Sequence, residues 1–227
     1  MDKLENQHIE HYTLGDLEQF KKTKFGPTAT TKTIREDGSV LLKLNQPLEQ
    51  FPEKITEKLI YWANKTPNKT FIARRNHVNE WEEVSYLETL EKVKSIAQYL
   101  LNLNFSKDET IVILSENSLE HAFLALAALH VGITYTPISP PYSLISNDFG
   151  KLKHCLELMT PKLVFAQNAK TYANAIDLTK QLFPNIQIVT AEQSTEIDFS
   201  ELLNTPCDES VDQAFLKVNA DTIAKVL

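Results

Sequence analysis

The groups in this 227-residue chain that could hold a metal or move a proton are six histidines, two cysteines and thirty acidic residues, and their spacing assembles no catalytic set. His121, His130 and His154 fall on helix-patterned segments with no partner at metal-ligand spacing, and His8 and His11 sit in an irregular N-terminal stretch. Structural or solvated roles are expected for all five. Cys155 and Cys207 are too few and too far apart for a zinc site or a disulfide framework, and read as reduced structural thiols. The adjacent pairs Glu82-Glu83 and Asp208-Glu209 need not converge, so they read as solvated surface rather than as acid/base dyads. No Ser/His/Asp or Cys/His arrangement follows from the spacing. No catalytic residue and no metal ligand is therefore assigned.

Glycine is the most informative count. The chain has five, Gly15, Gly26, Gly38, Gly132 and Gly150, and no two lie closer than eleven residues. Motifs such as GxGxxG, GxSxG and GxxxxGKS need glycines two to five apart so that backbone can approach a phosphate or an oxyanion. None can be built here.

Composition narrows the partners. Thirty acidic residues against 23 Lys+Arg give a formal charge of -7, leaving no basic surplus for counterion release, so nucleic acid is not expected as a main partner. With 42% hydrophobic and 23% charged residues the chain is an ordinary globular one, large enough to bury a core. The first thirty residues hold no signal-peptide run, and the longest later apolar run, around Ala122 to Leu129, is far too short to span a bilayer. A cytoplasmic protein without a membrane span is expected.

Residues 1–52 have weak periodicity and read as an extended arm, with one strand at Val40–Leu44 after the turn signal Asp37-Gly38. Residues 53–227 read as an α/β subdomain. It opens with an amphipathic helix carrying Ile55, Leu59, Trp62 and Ala63, stopped at Thr66-Pro67-Asn68. A hairpin of Thr70–Arg74 and Trp81–Val84 follows, and Ser85-Tyr-Leu-Glu88 has the pattern of a capping box, leading a stripe of Leu87, Leu90, Val93, Ala97, Leu100 and Leu101.

From Thr110 onward short Val/Ile/Leu runs alternate with helical patterns. The spacing predicts strand Ile111–Leu114, helix Asn117–Val131, strand Ile133–Ile138, helix Ser146–Met159, strand Leu163–Ala166, helix Ala169–Phe183 and strand Ile186–Val189. Continuous apolar strands between helices require a parallel sheet buried on both faces. With right-handed crossovers the fold class is α/β: a doubly wound, mostly parallel sheet flanked by helices. A short helix is expected at Asp198–Leu203, and the last run, Ile223–Leu227, reads as a strand ending at the terminus.

Ligands of such sheets sit beyond the carboxyl ends of the strands. That rule selects Ser115, Asn117 and Ser118, then Ser139 to Ser143, then Gln167-Asn168, although helix capping alone also accounts for Asn117 and Ser118.

Several segments together resemble the adenylate-forming enzymes, the superfamily of acyl- and aryl-CoA synthetases, luciferases and peptide-synthetase adenylation domains. Val84-Ser-Tyr-Leu-Glu-Thr-Leu90 resembles its (L)TYxEL motif and Leu129-His-Val-Gly-Ile-Thr-Tyr-Thr-Pro-Ile-Ser139 its LxxGxxYxPxx motif, about 45 residues on. Arg35-Glu-Asp-Gly-Ser39, Leu59-Ile-Tyr-Trp-Ala63, Ser139-Pro-Pro-Tyr-Ser-Leu144 and Asp148-Phe-Gly-Lys-Leu-Lys-His154 resemble feruloyl-CoA synthetases more narrowly.

The resemblance implies the N-terminal subdomain of a ligase that joins a hydroxycinnamate-like carboxylate to AMP, using ATP and Mg2+, and then to CoA. The family's phosphate loop follows a strand resembling Asp221–Leu227, so the fragment is expected to be inactive and to bind none of these tightly. Tyr142 and Ser143, in the Pro140–Ser143 loop, are implied as a CoA-side contact. Exposed apolar surface near Leu227 and a homodimer through it are expected. Two other readings stay open: a naturally short, non-catalytic binding or scaffold module of the same fold, and a flavodoxin-like receiver or nucleotide-binding domain.

Overall fold

The structure is a computed structural model that describes residue 26 and residues 29–193 and 196–227; His8 and His11 lie outside the described residues. The chain divides into two units between Phe51 and Pro52.

In the first unit, β1 (Thr30–Ile34) pairs antiparallel with β2 (Val40–Leu44). Gly38 turns the chain at φ +81°, and the Ser39 N–H donates to Asp37 Oδ1 at 2.9 Å. The Val40–Leu44 strand is present as its composition suggests. Its partner, Thr-Thr-Lys-Thr-Ile, carries no apolar alternation and gives no sequence signal.

The second unit begins with α1 (Thr56–Lys65), whose buried face is Thr56, Leu59 and Ala63. Ile55, expected on that face, sits at the N-cap and is exposed. The hairpin of β3 (Thr70–Arg75) and β4 (Trp81–Ser85) is antiparallel, and Ser85 at its end caps α2 (Tyr86–Asn102). The capping box is complete: the Ser85 N–H donates to Glu88 Oε2 at 2.8 Å and the Glu88 N–H to Ser85 Oγ at 3.2 Å. Val93, Ile96, Ala97 and Leu100 form the fully buried stripe of this helix, whereas Leu87 is exposed.

The body is a five-stranded, all-parallel sheet in the order β6-β5-β7-β8-β9. Its strands are β5 (Thr110–Leu114), β6 (Tyr135–Pro137), β7 (Pro161–Asn168), β8 (Gln187–Glu192) and β9 (Ile197–Asp198). Every residue of β5 is buried. Ile111 and Ile113 join a core with α2 and α3 (Leu119–Val131) on one face, and Val112 and Leu114 join a second core with α5 (Gly150–Met159) and α6 (Ala173–Leu182) on the other. Burial on both faces is the reason β5 reads as an unbroken apolar run. The doubly wound fold class is thus the observed one.

Helix starts differ from the periodicity where short polar turns take the hydrogen bonds first. α5 starts at Gly150 rather than Ser146, because the Phe149 N–H donates to Ser146 Oγ and the Gly150 N–H to Asp148 Oδ1, with Phe149 at φ +53°. α6 starts at Ala173 rather than Ala169, because Asn168 Oδ1 accepts from the N–H groups of Lys170 and Thr171, both at 3.0 Å.

A five-residue helix, α4 (Pro140–Leu144), occupies the loop after β6, and α7 (Phe199–Leu203) follows its cap Asp198. α8 (Glu209–Lys217), capped by Asp208, has no counterpart in the sequence reading. Ile223–Leu227 is not a strand: one parallel bridge, Tyr135 with Lys225, sets it beside β6. Gly132 ends α3 at φ +75°, and a Cβ there would meet Val218 Cγ2 at 3.1 Å.

Candidate functional site

The strand order places β5 between β6, which follows it in the chain, and β7, whose connection lies on the opposite side. The crevice beyond the carboxyl ends of β5 and β7 is therefore the topological switch point, the position where open parallel sheets bind ligands. A cavity of about 700 Å³ opens there. Ser118, Asn117, Gln167 and Asn168, selected from sequence, line it, together with Arg74 from β3, Tyr172 and Glu192.

Ser118 caps α3, accepting from the His121 N–H at 3.0 Å. Ser115 is buried below it and is not a cavity residue; its hydroxyl donates to the Glu116 carbonyl at 2.8 Å and lies 2.8 Å from His121 Nδ1. Burial pulls the His121 imidazole below its ordinary pKa, against the opposing hydrogen bond with the Glu116 carbonyl. His121 is thus a half-buried structural residue. Ser115, His121 and Ser139 line a second recess on the other side of Glu116 and Asn117.

The crevice wall carries Glu82, Glu116 and Glu192 beside Arg74, Arg75 and His77. Arg74 Nε donates to Glu82 at 2.7 Å, and its Nη1 to both oxygens of Glu120 at 3.1 Å. Burial lowers the pKa of this guanidinium, but Glu82 and Glu120 outweigh it and hold the group above its ordinary range. Gln167 Nε2 donates to Glu120 and Glu192 at 3.2 Å, and Asn168 Nδ2 to Glu192 at 3.0 Å. Those bonds, Asn168 first, hold the Glu192 carboxyl below its usual range. Gln167 Oε1 and the Tyr172 hydroxyl are buried with no hydrogen-bond partner. Glu82 and Glu83 diverge as neighbours on a strand must: Glu82 pairs with Arg74, and Glu83 accepts from Thr70 Oγ1 at 2.7 Å. Arg74 and Tyr172 carry no sequence signal, since one comes from a distant hairpin and the other from a helix start. Glu192 ends β8 and falls under the same strand-end rule.

The remaining candidates are dispersed. Tyr142 is half-buried against the second core with the Lys151 ammonium 5.2 Å from its ring centre, whereas Ser143 is 6% exposed and its hydroxyl has no partner. His154 is exposed and His130 fully buried. Cys155 and Cys207 are free thiols. Among the described residues no three His, Cys, Asp or Glu side chains cluster for a metal, and no helix is long and apolar enough to cross a membrane.

The crevice lacks the glycine-rich loop that cradles the phosphates of a nucleoside triphosphate. Glu82, Glu116 and Glu192 stand on its wall, the loop after β5 has no glycine, and the hydroxyl of Ser118 is committed to its cap.

Comparison with known proteins converges on one group. Residues 59–226 match the family described as AMP-binding enzyme. Gramicidin S synthase 2 of Brevibacillus brevis is 29% identical over 111 residues, covering 48% of this chain and 2% of that protein. Bacitracin synthase 3 of Bacillus licheniformis is 30% identical over 108 residues, 46% of this chain and 2% of that protein. A long-chain-fatty-acid-CoA ligase from Archaeoglobus fulgidus superposes with a TM-score of 0.60 at 19% identity, covering 81% of this chain and 36% of that one. The luciferase-like enzyme of the mealworm Zophobas morio gives 0.58 at 18% identity, covering 71% and 38%. The chain spans a small part of the curated relatives and about a third of these solved structures. At these identities the structural likeness shows a shared fold.

Proposed function

Since this chain belongs to the AMP-binding enzyme family, we propose that it forms the N-terminal α/β portion of an ATP-dependent carboxylate:CoA ligase acting in the cytoplasm. The observation that carries this reading is the family match from residue 59 to residue 226, which coincides with the parallel-sheet unit and its flanking helices. The proposed carboxylate is a small hydroxycinnamate such as ferulate; the four segments resembling feruloyl-CoA synthetases support it. Tyr142 is the proposed CoA-side contact, aided by Lys151. Ser143 would act there only by supporting the loop from beneath.

By itself the chain is proposed to be inactive. It has no glycine-rich loop to cradle phosphates at the crevice beyond its strand ends. Domain roles follow: residues 1–52 as an arm and residues 53–227 as the subdomain.

The test is pyrophosphate release with Mg-ATP, CoA and a panel of ferulate, acetate, palmitate and amino acids. The chain alone should be silent, and the product of its gene read beyond codon 227 should release pyrophosphate most readily with ferulate. Release by the chain alone would sink the inactivity, and preference for another acid would sink the substrate.

A further inference from the structure

α8 is held to the body by a small set of contacts, and one of them can take a proton. Val211 is its one fully buried residue, and Ala214 packs beside it against the core of α2 and α3. The Lys94 ammonium pairs with Asp212 at 2.7 Å, with both side chains partly in water. Gln98 Oε1 accepts from the Asp208 N–H at 3.0 Å and from Ser210 Oγ at 3.3 Å, and Lys54 Nζ donates to the Phe215 carbonyl at 2.9 Å. The last contact is aromatic: the Phe215 ring stacks on the imidazole of His130, which belongs to α3.

His130 is sealed from water, and neither ring nitrogen has a hydrogen-bond partner. The neutral ring leaves one N–H unpaired; the protonated ring would leave two, and a full charge with them. An unpaired buried charge costs far more than a buried neutral ring. The charged groups facing the imidazole add to that cost. Lys94 from α2 and Lys54 from the segment before α1 repel a third positive charge, and Asp212 of α8 opposes them. Relief comes from bringing the ring to water. α3 is fixed by the full burial of Leu124, Ala127 and Ala128, whereas α8 rests on the few contacts above.

We propose that protonation of His130 releases α8 from α2 and α3, which makes this helix an acid-opened latch on a sheet that otherwise stays closed. A helix of nine residues is marginal in water by itself, so α8 unravels once it leaves. The direction agrees with the proton affinity of the ring. Burial first, then Lys94, lowers its pKa from 6.5 to about 4 while the latch is closed, so opening gains as pH falls below 6.5 and levels off below about 4. The inference is independent of the ligase reading.

The experiment is amide hydrogen exchange of the 227-residue chain between pH 8 and pH 5, corrected for the intrinsic pH dependence of exchange. The opening constant of the amides from Gln213 to Lys217 should rise about 30-fold over that range and stay at least about tenfold above that of the β5 amides throughout. His130→Phe keeps a ring on Phe215 and carries no proton, so it should remove the rise. Asp212→Asn removes the partner of Lys94, so it should raise the opening constant at every pH and keep the rise. The Asp208 cap stays ionised in this window, its carboxyl held below the usual range by the Ser210 hydrogen bonds. The wild-type and Asp212→Asn profiles decide the matter even where His130→Phe does not fold. A flat α8 opening constant in the wild type, an undiminished rise in His130→Phe, loss of the rise in Asp212→Asn, or α8 amides that open only together with β5 overturns the proposal.

Discussion

His130 lies nearly flat against Phe215, with ring centres 4.7 Å apart and planes 18° from parallel, and the Lys54 ammonium stands 4.3 Å from the same phenyl centre. This contact fastens α8 to α3. The imidazole is fully buried and neither ring nitrogen has a hydrogen-bond partner. Burial first, then the Lys94 and Lys54 charges against an opposing Asp212, lower its pKa from 6.5 to about 4.

A pH dependence with a definite sign follows. A histidine whose folded pKa is depressed contributes stability that is complete above its unfolded pKa and is lost as pH falls towards the folded value. Between about pH 8 and about pH 4 the protein should lose roughly 3 kcal/mol through this residue. Urea unfolding across that range should show a shallower loss in His130→Phe, which keeps a ring on Phe215 and removes the titration. Parallel pH profiles of the two proteins would refute the assignment.

Gly132→Ala should destabilise the fold by about 1–2 kcal/mol, the cost of a side chain in the left-handed region. Its Cβ would also press on Val218 at 3.1 Å. Adding Val218→Ala should relieve that contact and leave the backbone cost. Thermal melts of the single and double variants separate the two.

Ser85→Ala removes the hydroxyl that accepts the Glu88 N–H at the start of α2. Loss of about 1 kcal/mol is expected from the cap alone. Chemical denaturation should show it with an unchanged slope, because the surface exposed on unfolding stays the same.

Around the C-terminal segment Ile223 is 66% and Leu227 90% exposed, with Ile55, also exposed, lining the neighbouring cavity. Association through this face should give a concentration-dependent mass in light scattering, reduced in the double variant Ile223→Lys, Leu227→Asp. A monodisperse monomer at every concentration would remove the homodimer.

The parallel sheet was legible because its central strands are wetted on neither face. Ile111 to Leu114 can be apolar throughout, and an unbroken apolar run is easy to see. Elements that rest lightly on the body were harder. α8 fully buries only Val211, and its apolar face, Val211, Ala214 and Phe215, is one turn long. Ile223–Leu227 misled in the other direction, being apolar yet joined to β6 at one bridge. The strand-end rule located Asn117, Gln167 and Asn168 in the crevice. It had no means of bringing in Arg74, which reaches Glu120 from a hairpin 46 residues earlier. The (L)TYxEL-like and LxxGxxYxPxx-like segments contain a helix cap at Ser85 and a left-handed turn at Gly132, so their resemblance reports architecture before chemistry.

The single bridge between Tyr135 and Lys225 also sets a timetable for folding. Its two sides are separated by 90 residues and joined by only two backbone hydrogen bonds, Tyr135 N–H to the Ala224 carbonyl at 3.4 Å and Val226 N–H to the Tyr135 carbonyl at 3.1 Å. A closure that spans so much chain for so little ladder is made late and opens first. The Val226 amide should therefore exchange with solvent deuterium through local opening, while the amides of β5 wait for the whole sheet to come apart.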